Sequence, residues 1–242
     1  MELFLRFNYN LCMNINPNAK RILCYGDSYT WGYIPATGHE RFPADKRWTG
    51  VLQDKLGKDY EIIEEGLNSR TLASDDKRPG KEGRNGLDYL IPCLDTHDPI
   101  DLVILLLGTN ELKDTFNTSA EEIGNIVEND YIKVILNRES QYKSTTPDLL
   151  LISPPLLNLE AEYARARYSE STEKNLRLAT IYQEIADRNK CKHLNSADIV
   201  NVGEDGVHFD ASNHAKLGKA IVLNVSFNSL VPSNKITKSM GS

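Results

Sequence analysis

The chain has 242 residues, 40% of them hydrophobic and 26% charged, with a formal net charge of -6. That length and composition suit a single globular domain whose core needs no disulfide or metal staple. The acidic balance and the absence of a basic stripe argue against nucleic acid as a partner, and no apolar run has the length of a membrane span.

In chain order, residues 1–19 read as an N-terminal extension. Leu3, Phe4, Leu5 and Phe7 are broken by Arg6 and Asn8, too short a run for a signal-peptide core, and Asn14–Asn18 reads as a loop. The single domain is expected over residues 20–231, followed by a polar tail at 232–242. Arg21–Tyr25 predicts a first buried strand, ending at Gly26-Asp27-Ser28. Tyr33–Asp45, with its prolines, glycines and charges, reads as a surface loop near that point. Trp48, Val51, Leu52 and Leu56 share one helical face, and Gly57 closes the helix. Tyr60–Glu64 predicts a second strand, running into a small-residue turn through Asn68-Ser69. Thr71–Arg84 reads as loop, with acids and bases nearly cancelling. Leu87, Leu90, Ile91 and Leu94 mark a helix from Gly86, its end weakened by Pro92.

Asp101–Leu107 is continuously apolar after its first residue, the pattern of a parallel strand covered on both faces, and stops at Gly108-Thr109-Asn110. Ser119 and Glu122 form a capping box for a long amphipathic helix to about Arg138, with Ile123, Val127, Tyr131 and Ile135 repeating at four. Leu149–Ile152 is a fourth strand, closed by Ser153-Pro154-Pro155. Leu156–Tyr168 reads as irregular, suited to lining a pocket or to a subunit contact. Glu173–Arg188 is helical, Lys192–Ala197 a short fifth strand, and Ser212 is expected to cap a last helix.

Strands alternating with helices predict an α/β fold with a parallel sheet between helical layers. Ligands of such sheets bind beyond the carboxyl ends of the strands. Ser28, Ser69, Asn110 and the pair Asp205 and His208 all follow strands, so the topology gathers them on one edge. Acyl transfer needs that set of groups: a hydroxyl nucleophile, a base, a partner to orient the base, and donors for the oxyanion. Ser28 supplies the hydroxyl, His208 the base and Asp205, three residues earlier, the orienting carboxylate. The N–H groups of Ser28 and Ser69 and the amide of Asn110 are the candidate donors, with Gly66 as the alternative to Ser69. Trp31 is a candidate for shaping the substrate pocket, with core packing equally open to it. Asp27, beside the nucleophile, is assigned to shaping the turn. Singly, each motif reads more readily as an ordinary turn; their joint occurrence carries the reading.

His39, His97, His193 and His214 lack partners at ligand spacing, and Glu64-Glu65 reads as a strand-end charge pair. Cys12, Cys24, Cys93 and Cys191 are scattered, with no Cys-x-x-Cys and no zinc spacing. No metal or cofactor is expected, and a reducing, cytoplasmic location is the simpler reading. A non-catalytic small-ligand module on the same parallel α/β scaffold is the competing class. Neither Gly-x-Gly-x-x-Gly nor a P-loop supports it.

Gly26-Asp27-Ser28, Asn68-Ser69, Gly108-Thr109-Asn110 and Asp205-x-x-His208 resemble the four motif blocks of the SGNH (GDSL-type) hydrolases. Arg47–Leu52, Ile63–Leu67 and Ser153-Pro154-Pro155 add a resemblance to the bacterial arylesterase and acyltransferase/perhydrolase subgroup, over about residues 20–228. The resemblance implies a flavodoxin-like three-layer α/β/α fold and a Ser28–His208–Asp205 mechanism without metal. It also implies a small-molecule ester as substrate, with short-acyl esters of aryl or simple alcohols foremost, acyl transfer or perhydrolysis as a side activity, and association into a homo-oligomer. A carbohydrate-ester deacetylase, a thioesterase or a lysophospholipase would use the same triad. Three positions depart from the pattern. Tyr29 stands where leucine is usual, Ser69 where glycine or alanine is usual, and Glu111 where aspartate is usual, the last a change expected to matter little.

Overall fold

The computed structural model describes residues 14–138 and 146–226. Five strands form its sheet: β1 (Lys20–Gly26), β2 (Tyr60–Gly66), β3 (Leu102–Leu106), β4 (Asp148–Ser153) and β5 (Lys192–Asn195). They are all parallel, in the order β2-β1-β3-β4-β5. Alternation along the central strands builds the layers, because successive side chains point to opposite faces. Leu23, Tyr25, Val103, Leu105, Leu149 and Leu151 enter one core, and Ile22, Cys24, Ile104, Leu106, Leu150 and Ile152 enter the other.

Helices cover both faces. On the second core lie α2 (Trp48–Leu56) and α8 (Ala211–Ser226), through Trp48, Leu52, Leu217 and Ile221. On the first lie α3 (Gly86–His97), α4 (Ala120–Ile126), α5 (Lys133–Asn137) and α7 (Thr172–Asn189). The expected three-layer α/β/α architecture is thus observed. From β1 the chain crosses to β2 on one side and then to β3 on the other. The strand order reverses there, and a crevice opens at the carboxyl ends of β1 and β3.

Several elements differ in detail from the sequence pattern. The helix capped by Ser119 and Glu122 is not uniformly α: Val127–Ile132, between α4 and α5, is a π-helical stretch. Apolar residues spaced strictly at four drift by about 40° per step around an α-helix. The wider π turn takes up that drift, and Ile123, Val127, Tyr131 and Ile135 all reach the core. Helix α3 continues past Pro92 to His97, since Pro92 is on its exposed side while Leu90, Cys93 and Leu94 stay buried. The segment read as irregular contains α6 (Glu162–Tyr168), whose buried face is only Ala164 and Tyr168, too narrow to show as a periodic stripe. Asp210, not Ser212, caps α8, its Oδ1 accepting from Asn213 N at 2.7 Å.

Of the expected N-terminal extension, residues 14–19 are described. Asn14 Nδ2 donates to the Tyr60 carbonyl at 2.9 Å and to that of Lys58 at 3.1 Å, holding this stretch beside the start of β2. Residues 1–13 and the expected tail at 232–242 lie outside the described residues. None of the described helices is long and apolar enough to cross a membrane.

Candidate active site

Strand β1 ends at Gly26, and Asp27 caps the single turn α1 (Ser28–Trp31), its carboxylate accepting from Tyr29 N at 3.0 Å. The turn starts at Ser28 and lifts its hydroxyl out of the sheet edge. A side chain on Gly26 would collide with Thr30, and one on Gly66 would run into the backbone of α1, so both glycines are needed for the turn to sit this low.

The base comes from a loop. After β5 the chain makes a short turn at Ser196–Asp198 and reaches Asp205. Asp205 Oδ1 accepts from Val207 N at 2.9 Å and His208 N at 2.8 Å, and Oδ2 lies 2.7 Å from His208 Nδ1. Gly206 between them has φ 75°, and a side chain there would strike the Asn158 carbonyl and α6. Burial pushes the Asp205 carboxyl up, but its hydrogen bonds with the His208 ring and with the two backbone N–H groups outweigh this, and the net shift is downward. Asp205 is therefore an anion fixed against one ring nitrogen. The other, His208 Nε2, lies 3.1 Å from Ser28 Oγ. Such an alignment can pass a proton from the hydroxyl to the imidazole while the carboxylate holds the ring.

Asn110 opens a 3₁₀ turn after β3. Gly108 precedes it with φ 117°, packed so closely on the Tyr182 hydroxyl that no Cβ fits. The Asn110 amide donates to the Arg70 carbonyl at 2.9 Å and makes a longer 3.3 Å contact with Asp27 Oδ2, while its Oδ1 accepts from Lys113 Nζ at 2.6 Å. Thr109 makes no side-chain cap for this turn.

Ser28, Ser69, Asn110 and His208 line one cavity of about 360 Å³. Gly66 is not in its lining; it is paired in the sheet opposite Gly26. Ser69 has φ 65°, the left-handed region that glycine adopts without strain. Trp31 also lies outside the lining, with the Arg41 guanidinium over its ring at 5.1 Å and the Tyr33 ring tilted beside it at 6.4 Å.

Other contributors escaped the sequence reading. Tyr33 packs on the His208 ring at 4.2 Å between centroids, tilted by 30°, and Tyr163, from the segment read as suited to lining a pocket, stands 6.0 Å away in the lining. Tyr29 donates its hydroxyl to the Val207 carbonyl at 2.8 Å, joining the nucleophile turn to the histidine loop. The buried Arg70 donates to the carbonyls of Gly26, at 2.8 Å, and Glu65, and covers the Tyr25 ring. Glu111, expected to be an inconsequential replacement, is fully buried and accepts the Leu72 N–H, tying the Asn110 turn to the segment after Ser69. A shorter aspartate would have to draw the two segments together.

Glu64 takes hydrogen bonds from Arg41, Arg47 and Thr49, so it belongs to a structural network. Glu65 pairs with His97 at 2.8 Å, a partner the sequence spacing did not reveal. Cys93 lies close to both, the one grouping of metal-ligand types among the described residues. It is outside the cavity lining, and burial pushes the Cys93 thiol up to about 12, keeping it neutral. His214 is buried, its Nδ1 accepting from Trp48 N at 3.3 Å, and burial lowers its pKa to about 3.

Residues 24–216 match the GDSL-like lipase/acylhydrolase family. Among solved structures, the native aryl esterase of M. smegmatis superposes with a TM-score of 0.81 at 37% identity, covering 88% of this chain and all of that one. A carbohydrate acetylesterase from Sinorhizobium meliloti gives 0.80 at 34% identity, covering 86% and 99%. A lipase/acylhydrolase from Enterococcus faecalis, at 17% identity and 0.60, shares the fold. No curated protein sequence matches the chain. The chain belongs to the GDSL-like lipase/acylhydrolase family, within the SGNH hydrolases. It is a carboxylic ester hydrolase.

Proposed function

We propose that the protein hydrolyses short-acyl esters of aryl or simple alcohols through an acyl-enzyme on Ser28. The carrying observation is the continuous contact from Asp205 through His208 to Ser28 Oγ at the wall of a small cavity. In this reading His208 Nε2 takes the Ser28 proton as Oγ attacks the ester carbonyl. The oxyanion forms beside the N–H groups of Ser28 and Ser69 and the amide of Asn110. His208 then returns the proton to the departing alcohol. Water, activated by the same imidazole, releases the acid and restores Ser28. An alcohol or hydrogen peroxide in place of that water would give acyl transfer or perhydrolysis.

The volume of about 360 Å³ is at the small end for a ligand pocket and suits a small ester. A sugar-ester deacetylase is the second reading, favoured by the many hydrogen-bonding side chains in the lining and by the similarity to a carbohydrate acetylesterase. A cytoplasmic location is part of the proposal, supported by Cys24, Cys93 and Cys191 being free thiols.

A p-nitrophenyl ester series of increasing acyl length tests the assignment. The acetate should give the highest kcat/KM, with a steep fall by the octanoate, and Ser28→Ala should lose about 10³-fold or more in kcat. A wild type no faster than Ser28→Ala removes the nucleophile assignment, and a preference for long chains removes the short-acyl reading.

A further inference from the structure

The cavity's charge runs against that of the whole chain. The protein carries a net charge of -6, yet Arg78, Lys81, Lys113 and Arg167 line the site and no carboxylate does. Much of this positive charge is uncompensated. Arg78 is paired with Asp76. Lys113 donates to the neutral amide oxygen of Asn110. Arg167 lies over the Tyr163 ring at 3.9 Å and donates to the Tyr163 carbonyl at 3.1 Å. Among the described residues, neither Lys81 nor Arg167 forms an ion pair. Asp27 and Glu111, buried near Lys113 but outside the lining, have carboxyls pushed up to about 7 by burial, so each is only partly ionised at neutral pH.

Unpaired cations around a concave, partly desolvated site hold an attractive field for anions, because the low-dielectric walls focus it. Arginine and lysine there also match carboxylate, phosphate and sulfate oxygens as hydrogen-bond donors. Resting on the esterase reading above, we propose that the preferred substrates are anionic esters. Their scissile carbonyl would sit at Ser28, and a negatively charged group elsewhere in the molecule would be held by Lys81, Arg167 and Arg78. The cluster is a specificity-determining subsite: it selects the ester, and the triad carries out the chemistry.

The test compares kcat/KM for three aryl acetates, each corrected for its spontaneous hydrolysis: 3-acetoxybenzoate, neutral phenyl acetate, and a trimethylammonium-substituted phenyl acetate. Phenyl hemisuccinate adds the case in which the acyl half carries the charge. At low salt an anionic ester of at least one kind should exceed the neutral ester by about tenfold or more, and the cationic ester should be the poorest. The advantage should shrink as salt rises from about 0.05 M to 0.5 M. It should fall by about tenfold in Lys81→Gln/Arg167→Gln, with folding checked by circular dichroism. Competitive inhibition by benzoate should exceed that by benzamide in the wild type and approach it in the double variant. Anionic esters no better than neutral ones, or an advantage that survives the double substitution, would overturn the proposal while leaving the esterase intact. If none of the four esters is turned over faster than by Ser28→Ala, the esterase reading itself falls, and this one with it.

Discussion

Lys113 reaches Asn110 Oδ1 at 2.6 Å, which leaves the amide nitrogen turned toward the Arg70 carbonyl and the crevice. An asparagine that donates to an oxyanion must not rotate its amide end over end, and a charged donor on its oxygen prevents that. Burial, with Arg78 next, lowers the Lys113 pKa to about 8. The protonated form is the one that holds Asn110 firmly, so kcat should decline as pH rises through about 8. Lys113→Met should lower kcat by about 10–100-fold with little change in KM for a neutral ester and should lose this alkaline decline; Asn110→Ala should cost about 10²–10³-fold. An unchanged kcat and pH profile in Lys113→Met would show that the lysine does not position the amide. Ser69 admits an equally pointed test. If its backbone N–H is the donor, Ser69→Gly relieves a left-handed conformation costing about 1–2 kcal/mol for a non-glycine residue and keeps the rate within a few fold. A loss of about a hundredfold would assign the role to the hydroxyl.

At the scale of elements, the loops of the sheet's carboxyl edge hang from tyrosine hydroxyls. Tyr29 donates to Val207, Tyr25 to Gly86, Tyr131 to Leu72 and Tyr182 to Leu107, each bond between 2.6 and 2.9 Å. Removing the Tyr29 or the Tyr182 hydroxyl takes away the donor to a buried carbonyl, at a cost of about 1–3 kcal/mol. Tyr29→Phe and Tyr182→Phe should therefore lose similar stability in urea titrations. Tyr29→Phe should lose more in kcat, because only Val207 adjoins His208. Equal kinetic losses would make Tyr29 a packing residue. These ties also mark where the sequence stopped being legible. Ser28, Asn110, Asp205 and His208 could be found because strand ends in a parallel sheet must share an edge, so local pattern implies long-range proximity. The Tyr29 hydroxyl and Val207 are 178 residues apart, and the Glu111 carboxylate meets Leu72 across 39. No local periodicity encodes such pairs, which explains why Tyr29 and Glu111 read only as departures from a pattern, with no role attached. Trp31 shows the converse: proximity in sequence to Ser28 does not place its ring in the cavity lining.

For the whole molecule, buried ionisable groups beneath the site tie stability to pH in opposing directions. Burial raises Asp27 and Glu111 to about 7, above the values near 4 of an unfolded chain. Between about pH 4 and 7 the native state then binds more protons at these two positions than the unfolded state does, so their contribution is lost as pH rises through that window. His214, lowered to about 3 by burial, works the other way, since below about 6.5 the unfolded chain takes up a proton that the native state refuses. Asp205, shifted downward, likewise favours the native state above about pH 4. Two raised acids against one lowered histidine leave these groups with a net gain in stability from pH 7 down to about 5. Glu111 permits this to be isolated, because its Oε2 is buried with no hydrogen-bond partner and an uncharged group there loses no bond. Glu111→Gln keeps an oxygen for the Leu72 N–H and removes the ionisation. In urea titrations it should stabilise the protein at pH 8 by an amount on the order of 1–3 kcal/mol and by much less at pH 5, flattening the pH dependence. The same difference from wild type at both pH values would mean that Glu111 stays charged in the fold. The acids beneath the Asn110 turn would then offset part of the cavity's positive field.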